Sequence, residues 1–442
     1  MSLNPLGVRH ILERHPRPSR YWIAYSGGMD SHVLLHLCAQ MAETSDVPFT
    51  VAHVHHGLQS AADDWAAHCQ NTCERYALPC HIIRVNARAA PGASPEEAAR
   101  MARYQALQAL LAPGDILLTA QHQNDQAETL LLQLFRGSGL AGLAAMPEYA
   151  PLSPGFIVRP LLEYTRGELH AYAHSEQLQW VEDPSNQDQT FDRNFLRQAV
   201  WPVLESRWPG LASTLSRTAA HCAEAHHTLD ELAERWLSQA QASPNTTTLD
   251  VEQLSRHTRT EQTLVLRAWL KRNGLRMISA RLIRQIQTTV MHAGTDRNPR
   301  LVWADAEIRR YRNTLYLIAP PLKPLTPIQT PWDGLTPLIL PDDNGRLDIT
   351  PAIGAGIAAE HWQTARIHVG YRQGGESIRL PARHVSHELK KFLQEQGIPP
   401  WIRERLPLIY LNGQLASIAG RWTLEPYNAA VGASSVQLDW IY

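Results

Sequence analysis

The chain has 442 residues, of which 44% are hydrophobic and 19% are charged, and its formal net charge is −1. This composition is globular, no stretch approaches the roughly 20 apolar residues that cross a bilayer, and the first residues lack the apolar core of a secretory signal. We therefore expect a cytoplasmic protein of two or three domains, at about 150 residues each, in which nucleic acid binding would need a local basic surface.

Residues 21–118 alternate short apolar runs with segments of helical periodicity, which is the pattern of a parallel sheet wound with helices. The predicted strands are 21–25, 50–54, 80–85 and 116–120, and the predicted helices are 31–42, 62–76 and 95–111. The predicted fold class is therefore α/β, with a doubly wound parallel sheet. Ligands of such folds collect at the carboxyl ends of the strands, where helix N-termini direct their amides outward.

The first predicted strand runs directly into Ser-Gly-Gly-Met-Asp-Ser at residues 26–31, and a helix follows. Two adjacent glycines let several amides point at one anion, which predicts a phosphate ligand. The chain has no Gly-x-x-x-x-Gly-Lys-Ser/Thr sequence, which disfavours γ-phosphate transfer. A loop without lysine suits a site that holds the β and γ phosphates as a departing unit, with Asp30 helping to hold Mg²⁺. The alternative is a glycine turn capped by Asp30 or Ser31.

This loop resembles that of the PP-loop ATP pyrophosphatases, an adenine nucleotide alpha hydrolase-like group whose Ser-Gly-Gly-x-Asp-Ser segment binds pyrophosphate during adenylation of a substrate. Further motifs are His-Val-His-His-Gly-Leu at 53–58, Glu-Glu-Ala-Ala-Arg-Met-Ala-Arg-Tyr at 96–104 and His-Gln-Asn-Asp-Gln-Ala-Glu-Thr at 122–129. Arg-Gly-Ser-Gly at 136–139, Arg-Pro-Leu-Leu at 159–162, Glu-Asp-Pro-Ser-Asn at 182–186 and Arg-Asn-Phe-Leu-Arg at 193–197 follow in order. With them, nearly the whole chain resembles the bacterial tRNA(Ile)-lysidine synthases.

The resemblance implies a set of ATP contacts, a catalytic set and a set of substrate contacts. The ATP contacts would be Ser26, Gly27, Gly28, Met29, Asp30, Ser31 and His53. The catalytic residues would be Asp30, Arg100, His122 and Asp125, with Arg100 steadying transition-state charge and Asp125 also at a helix N-cap. The substrate contacts would be Arg136, Arg193 and Arg197, the last two being one turn apart and able to hold RNA phosphate. The structural alternatives are strand-end histidines, a solvated charged helix face and a helix C-cap at Gly137.

Beyond residue 191 the chain is predicted to be helical at 192–207, 211–240 and 251–271. Residues 256–312 contain 13 Lys or Arg against 4 Asp or Glu. A segregated basic segment has the electrostatic form of a contact with a nucleic acid backbone, although a solvated helix face is the alternative. The side chains expected to contact tRNA here are Lys271, Arg272, Arg276, Arg281 and Arg284.

Prolines recur between residues 319 and 351, which predicts an extended link or edge strands. The remainder is predicted to be a small α+β domain with strands at 408–411 and 416–419 and a helix at 386–396. Its Leu-Lys-Lys-Phe-Leu run resembles the last domain of the family, which contacts the tRNA acceptor end, so Lys390 and Lys391 are expected contacts. His387 and Glu388 stand where many members have basic residues. The expected domains are 1–215 (catalytic), 216–320 (helical, tRNA-binding), 321–354 (link) and 355–442 (C-terminal, tRNA-binding).

The function implied by the resemblance is a ligase reaction with ATP and Mg²⁺ as cofactors. ATP would adenylate carbon 2 of the wobble cytidine of tRNA(Ile) with a CAU anticodon, releasing pyrophosphate. The ε-amine of free L-lysine would then displace AMP and leave lysidine, which changes codon reading from AUG to AUA. Adenylation supplies the leaving group that an amine needs at this carbon. The sequence leaves a homodimer open.

Two alternatives stay open at this point. One keeps the adenylating chemistry with another nucleophile, as in tRNA thiolation or in the amide-forming GMP and NAD synthetases. The other is a regulatory nucleotide-binding module without turnover. Thiolating relatives have close Cys-x-x-Cys pairs, whereas the five cysteines here form an odd, sparse set that indicates neither a disulfide framework nor a four-ligand zinc site. These cysteines are Cys38, Cys69, Cys73, Cys80 and Cys222.

Overall fold

The computed structural model describes residues 3–57, 62–86, 95–242, 247–275, 278–294, 297–381 and 386–442. The chain divides into two compact units, Met1–Glu231 and Leu232–Tyr442. Across these described ranges, no helix is both long and apolar enough to cross a membrane.

A six-stranded sheet forms the centre of the first unit. Its strands are β1 Tyr21–Ala24, β2 Phe49–His55, β3 Cys80–Arg84, β4 Ile116–Leu118, β5 Tyr149–Leu152 and β6 Gly155–Val158. Their spatial order is β3-β2-β1-β4-β6-β5, and all neighbours are parallel except the β5–β6 pair. The carboxyl ends of β2, β1 and β4 therefore lie side by side.

Helices cover both faces of this sheet. Successive side chains of a strand point to opposite faces, and apolar side chains are buried on both of them. The helices of the first unit are α1 Pro5–Glu13, α2 Met29–Ala42, α3 Ala62–Arg75, α4 Pro95–Leu110, α5 Gln123–Phe135, α6 Leu140–Leu143, α7 Arg166–Ser175, α8 Asp192–Phe195 and α9 Trp201–Arg207, and α10 Leu211–Ala240 has residues in both units. On β1, Ile23 packs into the core with α1, α2, α3 and α7, whereas Trp22 packs on the other face against α4. The predicted α/β class with a doubly wound parallel sheet is confirmed.

The β5–β6 hairpin was not predicted from the sequence. Pro151 and Pro154 interrupt its apolar run, and proline normally argues against a strand. Gly155 makes the hairpin possible, because a Cβ at that position would lie 2.5 Å from the carbonyl oxygen of Asp115. Only a glycine lets β6 approach the chain so closely.

The second unit begins with helices packed on a four-stranded sheet. The helices are α11 Val251–Ser255, α12 Arg259–Arg272 and α13 Ala280–Gln285, and the strands are β7 Thr248–Asp250, β8 Arg300–Trp303, β9 Ala306–Tyr311 and β10 Thr314–Ile318, in the order β7-β10-β9-β8. The predicted single helix at 251–271 is divided, because Thr258 caps a new helix and forms a capping box with Glu261. Trp269 is fully buried in this core.

The end of the second unit consists mainly of short antiparallel strands. They are β11 Gln329–Trp332, β12 Leu338–Ile339, β13 Arg346–Ile353, β14 Ile357–Ala358, β15 Ile367–Gly370, β16 Ser377–Ile378, β17 His387–Glu388, β18 Leu408–Leu411, β19 Gln414–Ile418, β20 Trp422–Thr423 and β21 Ser434–Ile441. Its helices are α14 Ala359–Thr364, α15 Leu389–Glu395 and α16 Pro400–Arg403. The proline-rich segment 321–354, for which an extended link or edge strands are predicted, supplies β11, which pairs with β15, and β13, which pairs with β21. β11 lies at the edge of its sheet, where proline is tolerated.

Candidate active site

The glycine loop connects β1 to α2 at the centre of the parallel sheet. Gly28 is the N-cap of α2, and in the described part of the chain no side chain caps this N-terminus. The Ser31 hydroxyl donates to the Gly28 carbonyl (2.9 Å) and lies 3.0 Å from the Ser26 hydroxyl, so both serines shape the loop. Met29 is the first helical residue. Uncapped amides at a helix N-terminus form a site for an anion.

Gly27 is needed for the path of this loop. Its φ is +90°, and a Cβ there would lie 3.3 Å from the Cys69 sulfur on α3. Its carbonyl accepts a hydrogen bond from the Val181 amide (3.0 Å), which joins the loop to a distant segment. The conformation and the close thiol together favour glycine at this position.

Asp30, in the first turn of α2, meets His122 and Asp125 from the end of β4. The Nε2 atom of His122 lies 3.6 Å from Asp30 Oδ2 and 3.4 Å from Asp125 Oδ2. Burial lowers the pKa of His122, but the hydrogen bond to Asp30 and the charges of both carboxylates outweigh it, so its pKa is raised. Among the described residues, Asp30 Oδ1 and His122 Nδ1 are buried without a hydrogen-bond partner. Three of the four residues expected to be catalytic, Asp30, His122 and Asp125, are thus in one cluster.

Asp125 was expected at the N-cap of α5 but lies at its third position. His122 is the N-cap, and Asp125 accepts a hydrogen bond from the His122 amide (3.1 Å). Burial raises the pKa of Asp125, yet the charges of His122, Arg193 and Arg197 outweigh it, so its pKa is lowered. The carboxylate therefore stays ionised within the cluster.

Arg193 and Arg197, both partly exposed, are paired with carboxylates of α5. Arg193 donates to Asp125 (2.7 Å) and Glu128 (2.8 Å), and Arg197 donates twice to Glu128 (2.8 Å each) and once to Asp125 (3.1 Å). The Glu128 side chain is 3% exposed. These four residues form the ion-pair network of the site. Both guanidinium groups are thus held in ion pairs, and their expected contact with RNA phosphate stays a prediction.

Glu128 is the residue that the sequence reasoning missed. It belongs to the 122–129 motif, but the sequence analysis assigns it no role. A signal was present, because Asp125 and Glu128 are three apart on one helix face and Arg193 and Arg197 are four apart on another segment. A pair of acidic residues on one helix and a pair of basic residues on another segment predict that the two segments face each other. The sequence alone does not identify which arginine contacts which carboxylate.

His53 lies beneath the glycine loop. Its Nδ1 atom is 2.9 Å from the Tyr25 carbonyl and 3.3 Å from the Cys69 sulfur, and burial lowers its pKa. These contacts connect β2 to the residue that follows β1 and to α3, and so help to fix the start of the glycine loop. Its expected contact with ATP stays a prediction.

Two arginines of α4 lie near this region. Arg100 is exposed, with its guanidinium carbon 5.1 Å from the Tyr104 ring centre. Burial lowers the pKa of Arg103, and the charges of Arg100 and Arg193 lower it further. The catalytic role expected of Arg100 stays a prediction.

The remaining expected substrate contacts are exposed basic residues. Arg136 ends α5, is 63% exposed and lies 3.9 Å from Asp192, and the next residue, Gly137, has the predicted positive φ of a helix C-cap (+70°). In the second unit, the expected contacts Lys271, Arg281 and Arg284 on α12 and α13, and Lys390 and Lys391 on α15, are exposed. Arg272 pairs with Glu234. The predicted contact Arg276 lies outside the described residues.

Comparisons with known proteins agree along the length of the chain. A PP-loop domain family model matches residues 7–204, a TilS substrate binding domain matches 249–316, and a TilS substrate C-terminal domain matches 367–440. The chain is 44% identical to a tRNA(Ile)-lysidine synthase of Methylococcus capsulatus, over 96% of this chain and 97% of that protein. It is 41% identical to that of Coxiella burnetii (93% and 91%) and 39% identical to that of Yersinia pseudotuberculosis (100% and 98%).

Proposed function

Because the chain belongs to the family of tRNA(Ile)-lysidine synthases, we propose that it joins L-lysine to carbon 2 of the wobble cytidine of tRNA(Ile) with a CAU anticodon. The enzyme is an ATP-dependent ligase that forms a carbon–nitrogen bond. ATP is cleaved to AMP and pyrophosphate, and the product, lysidine, reads AUA in place of AUG. We propose that it acts in the cytoplasm, as a monomer or a homodimer.

The observation that carries this proposal is the glycine loop at the N-terminus of α2, beside the Asp30–His122–Asp125 cluster. The uncapped amides of α2 suit the outer phosphates of ATP, which leave together as pyrophosphate. Gly27 and Gly28 let the phosphates approach the backbone closely. Asp30 itself lies in the first turn of α2, and His122 joins it to Asp125. This arrangement favours cleavage between the α and β phosphates.

Asp30 fits a role in holding Mg²⁺. Its Oδ1 atom is buried and has no hydrogen-bond partner within the described ranges, and a carboxylate oxygen is the ligand type that Mg²⁺ prefers. Mg²⁺ commonly takes few protein ligands and completes its shell with phosphate oxygens and water. When bound, it would neutralise charge on the departing pyrophosphate.

His122 is suited to exchange the proton that the lysine ammonium must lose before attack. Its Nε2 atom lies between Asp30 and Asp125, and these carboxylates stabilise its protonated form. In the second step neutral His122 would take a proton from the lysine ammonium, the amine would attack carbon 2 as the bond to the AMP oxygen breaks, and the nitrogen would lose its second proton to water. Arg100 and Arg103 would oppose the charge on the phosphate that leaves.

Exposed basic side chains would hold the tRNA. Arg136 lies next to the site, and Lys271, Arg281, Arg284, Lys390 and Lys391 belong to the segments similar to substrate-binding and C-terminal domains. Lysine and arginine bind RNA phosphates largely without regard to sequence, so these residues contribute affinity. Arg193 and Arg197 would instead keep Asp125 oriented.

The test is incorporation of radioactive lysine into an unmodified tRNA(Ile) transcript, with and without ATP. We expect incorporation only with ATP, with AMP and pyrophosphate as products. Asp30→Ala should abolish pyrophosphate release with little loss of thermal stability, whereas Asp46→Ala, which removes an exposed surface carboxylate, should behave as the wild type. Products of ADP and orthophosphate, or normal turnover by Asp30→Ala, would refute the proposal.

A further inference from the structure

The second unit carries two separate groups of exposed basic side chains. One group is Lys271, Arg281 and Arg284 on α12 and α13, and the other is Lys390 and Lys391 on α15. We call them the middle and the terminal basic surfaces. The middle surface belongs to the layer packed on the β7–β10 sheet, whereas α15 belongs to a different core at the end of the unit. Their relative position therefore depends on the contact between these two cores.

Trp401, on α16 directly after α15, forms the centre of that contact. Its side chain is only 5% exposed. Its ring meets the ring of Tyr316 on β10 edge-on (5.3 Å between centres), and the guanidinium carbon of Arg309 on β9 lies 5.2 Å from it. Tyr311 lies 6.4 Å away, also edge-on. An aromatic ring so enclosed gives a large contact with a defined orientation.

Hydrogen bonds reinforce this contact on both sides of the tryptophan. Arg403 of α16 donates to the Tyr311 hydroxyl (2.7 Å) and to the Ile398 carbonyl (2.6 Å). Arg312 donates to the carbonyl of Gln394, the penultimate residue of α15 (2.7 Å). Charged donors make strong, directional hydrogen bonds. The helix that carries the terminal basic surface is thus tied to the sheet that supports the middle surface.

We propose that Trp401 is a positioning residue that fixes the two basic surfaces at one separation, so that a single tRNA contacts both at once. The proposal rests on the proposed function, since it assumes a tRNA substrate. Once one surface has bound, the second binds the same molecule at an effective concentration set by how rigidly the two are joined. Loosening the contact lowers that concentration without removing any basic side chain.

The consequence is a specific pattern of affinities. Trp401→Ala should raise the Kd and the KM for full-length tRNA(Ile) about tenfold, well within the range that linked binding provides. An isolated anticodon arm or acceptor minihelix contacts one surface only, so its Kd should stay within about twofold of the wild-type value. The kcat and the KM for ATP should not change, because the residue touches neither reactant. Trp401→Phe, which keeps an aromatic ring, should restore most of the affinity.

Fluorescence titrations with the three RNAs, on the full chain, test the proposal. Equal losses for full-length tRNA and for the minihelix would overturn it, because Trp401 would then only keep the C-terminal fold intact. An unchanged Kd for full-length tRNA would also overturn it. Tyr311→Phe removes only the hydroxyl that Arg403 contacts, and should give a smaller loss for full-length tRNA alone even if Trp401→Ala unfolds. Absence of lysine incorporation by the wild type would instead refute the proposed function.

Discussion

The ion-pair network of Asp125, Glu128, Arg193 and Arg197 can be tested through Glu128→Gln. Glutamine keeps the size of the side chain and one acceptor oxygen, but it removes the negative charge. Glu128 accepts three hydrogen bonds of 2.8 Å from two arginines, and its side chain is 3% exposed. The substitution therefore perturbs charge and hydrogen bonding with little change in packing.

The expected cost follows from the geometry. Breaking a buried ion pair by removing one partner costs about 3 to 5 kcal/mol. Here the arginine side chains are 26% and 31% exposed, and Asp125 still pairs with both, so water and the second carboxylate recover part of the loss. We therefore expect Glu128→Gln to destabilise the packing of α5 by about 2 kcal/mol.

Hydrogen–deuterium exchange of the α5 amides is the suitable assay, because it reports local opening in a chain with more than one compact unit. A loss of about 2 kcal/mol lowers protection roughly 30-fold. Glu205→Gln, on the exposed side of α9, is the matched control and should leave α5 unchanged. In an Arg197→Met background the effect of Glu128→Gln should shrink by at least about 1 kcal/mol. Protection within threefold of wild type would refute the network as a source of stability.

Gly27→Ala should lower stability by about 1–2 kcal/mol because of the positive φ. Gly167→Ala, at a helical glycine where a Cβ would meet only the Thr165 hydroxyl at 3.9 Å, should cost nothing in the same thermal unfolding experiment. An NMR titration of His122 should give a pKa above the ordinary value of 6.5. The stabilising charge of its imidazolium is fully present below pH 6.5 and is lost as the pH rises through the higher folded pKa. The difference in stability between the wild type and His122→Asn should therefore shrink over that pH range. Arg281→Glu with Arg284→Glu should weaken tRNA binding and reduce the slope of log Kd against log salt by about 1 or more; an unchanged slope would remove α13 from the tRNA contact.

Much of the first unit could be predicted from local patterns. The strand β1 and the loop after it are adjacent in sequence, so their periodicity and glycines predict a phosphate site without further information. The parallel order then brings the ends of β2, β1 and β4 together, which explains why three motifs far apart in sequence meet. The β5–β6 hairpin could not be predicted, because the prolines in its apolar run argue against a strand. In addition, β6 depends on the close approach of Gly155 to the Asp115 carbonyl, which the sequence does not show.

Motifs and periodicity were enough to predict the α/β class, the glycine loop, the grouping of Asp30, His122 and Asp125 at strand ends, and the family. The contacts of Arg193 and Arg197 could be learned only from the folded chain, because their partners lie 65 to 72 residues earlier. The same holds for the strands of 321–354, which pair with β15 and β21 further along. Periodicity and spacing report on neighbours along the chain, whereas charge pairing and strand pairing are settled by which surfaces the folded core brings into contact.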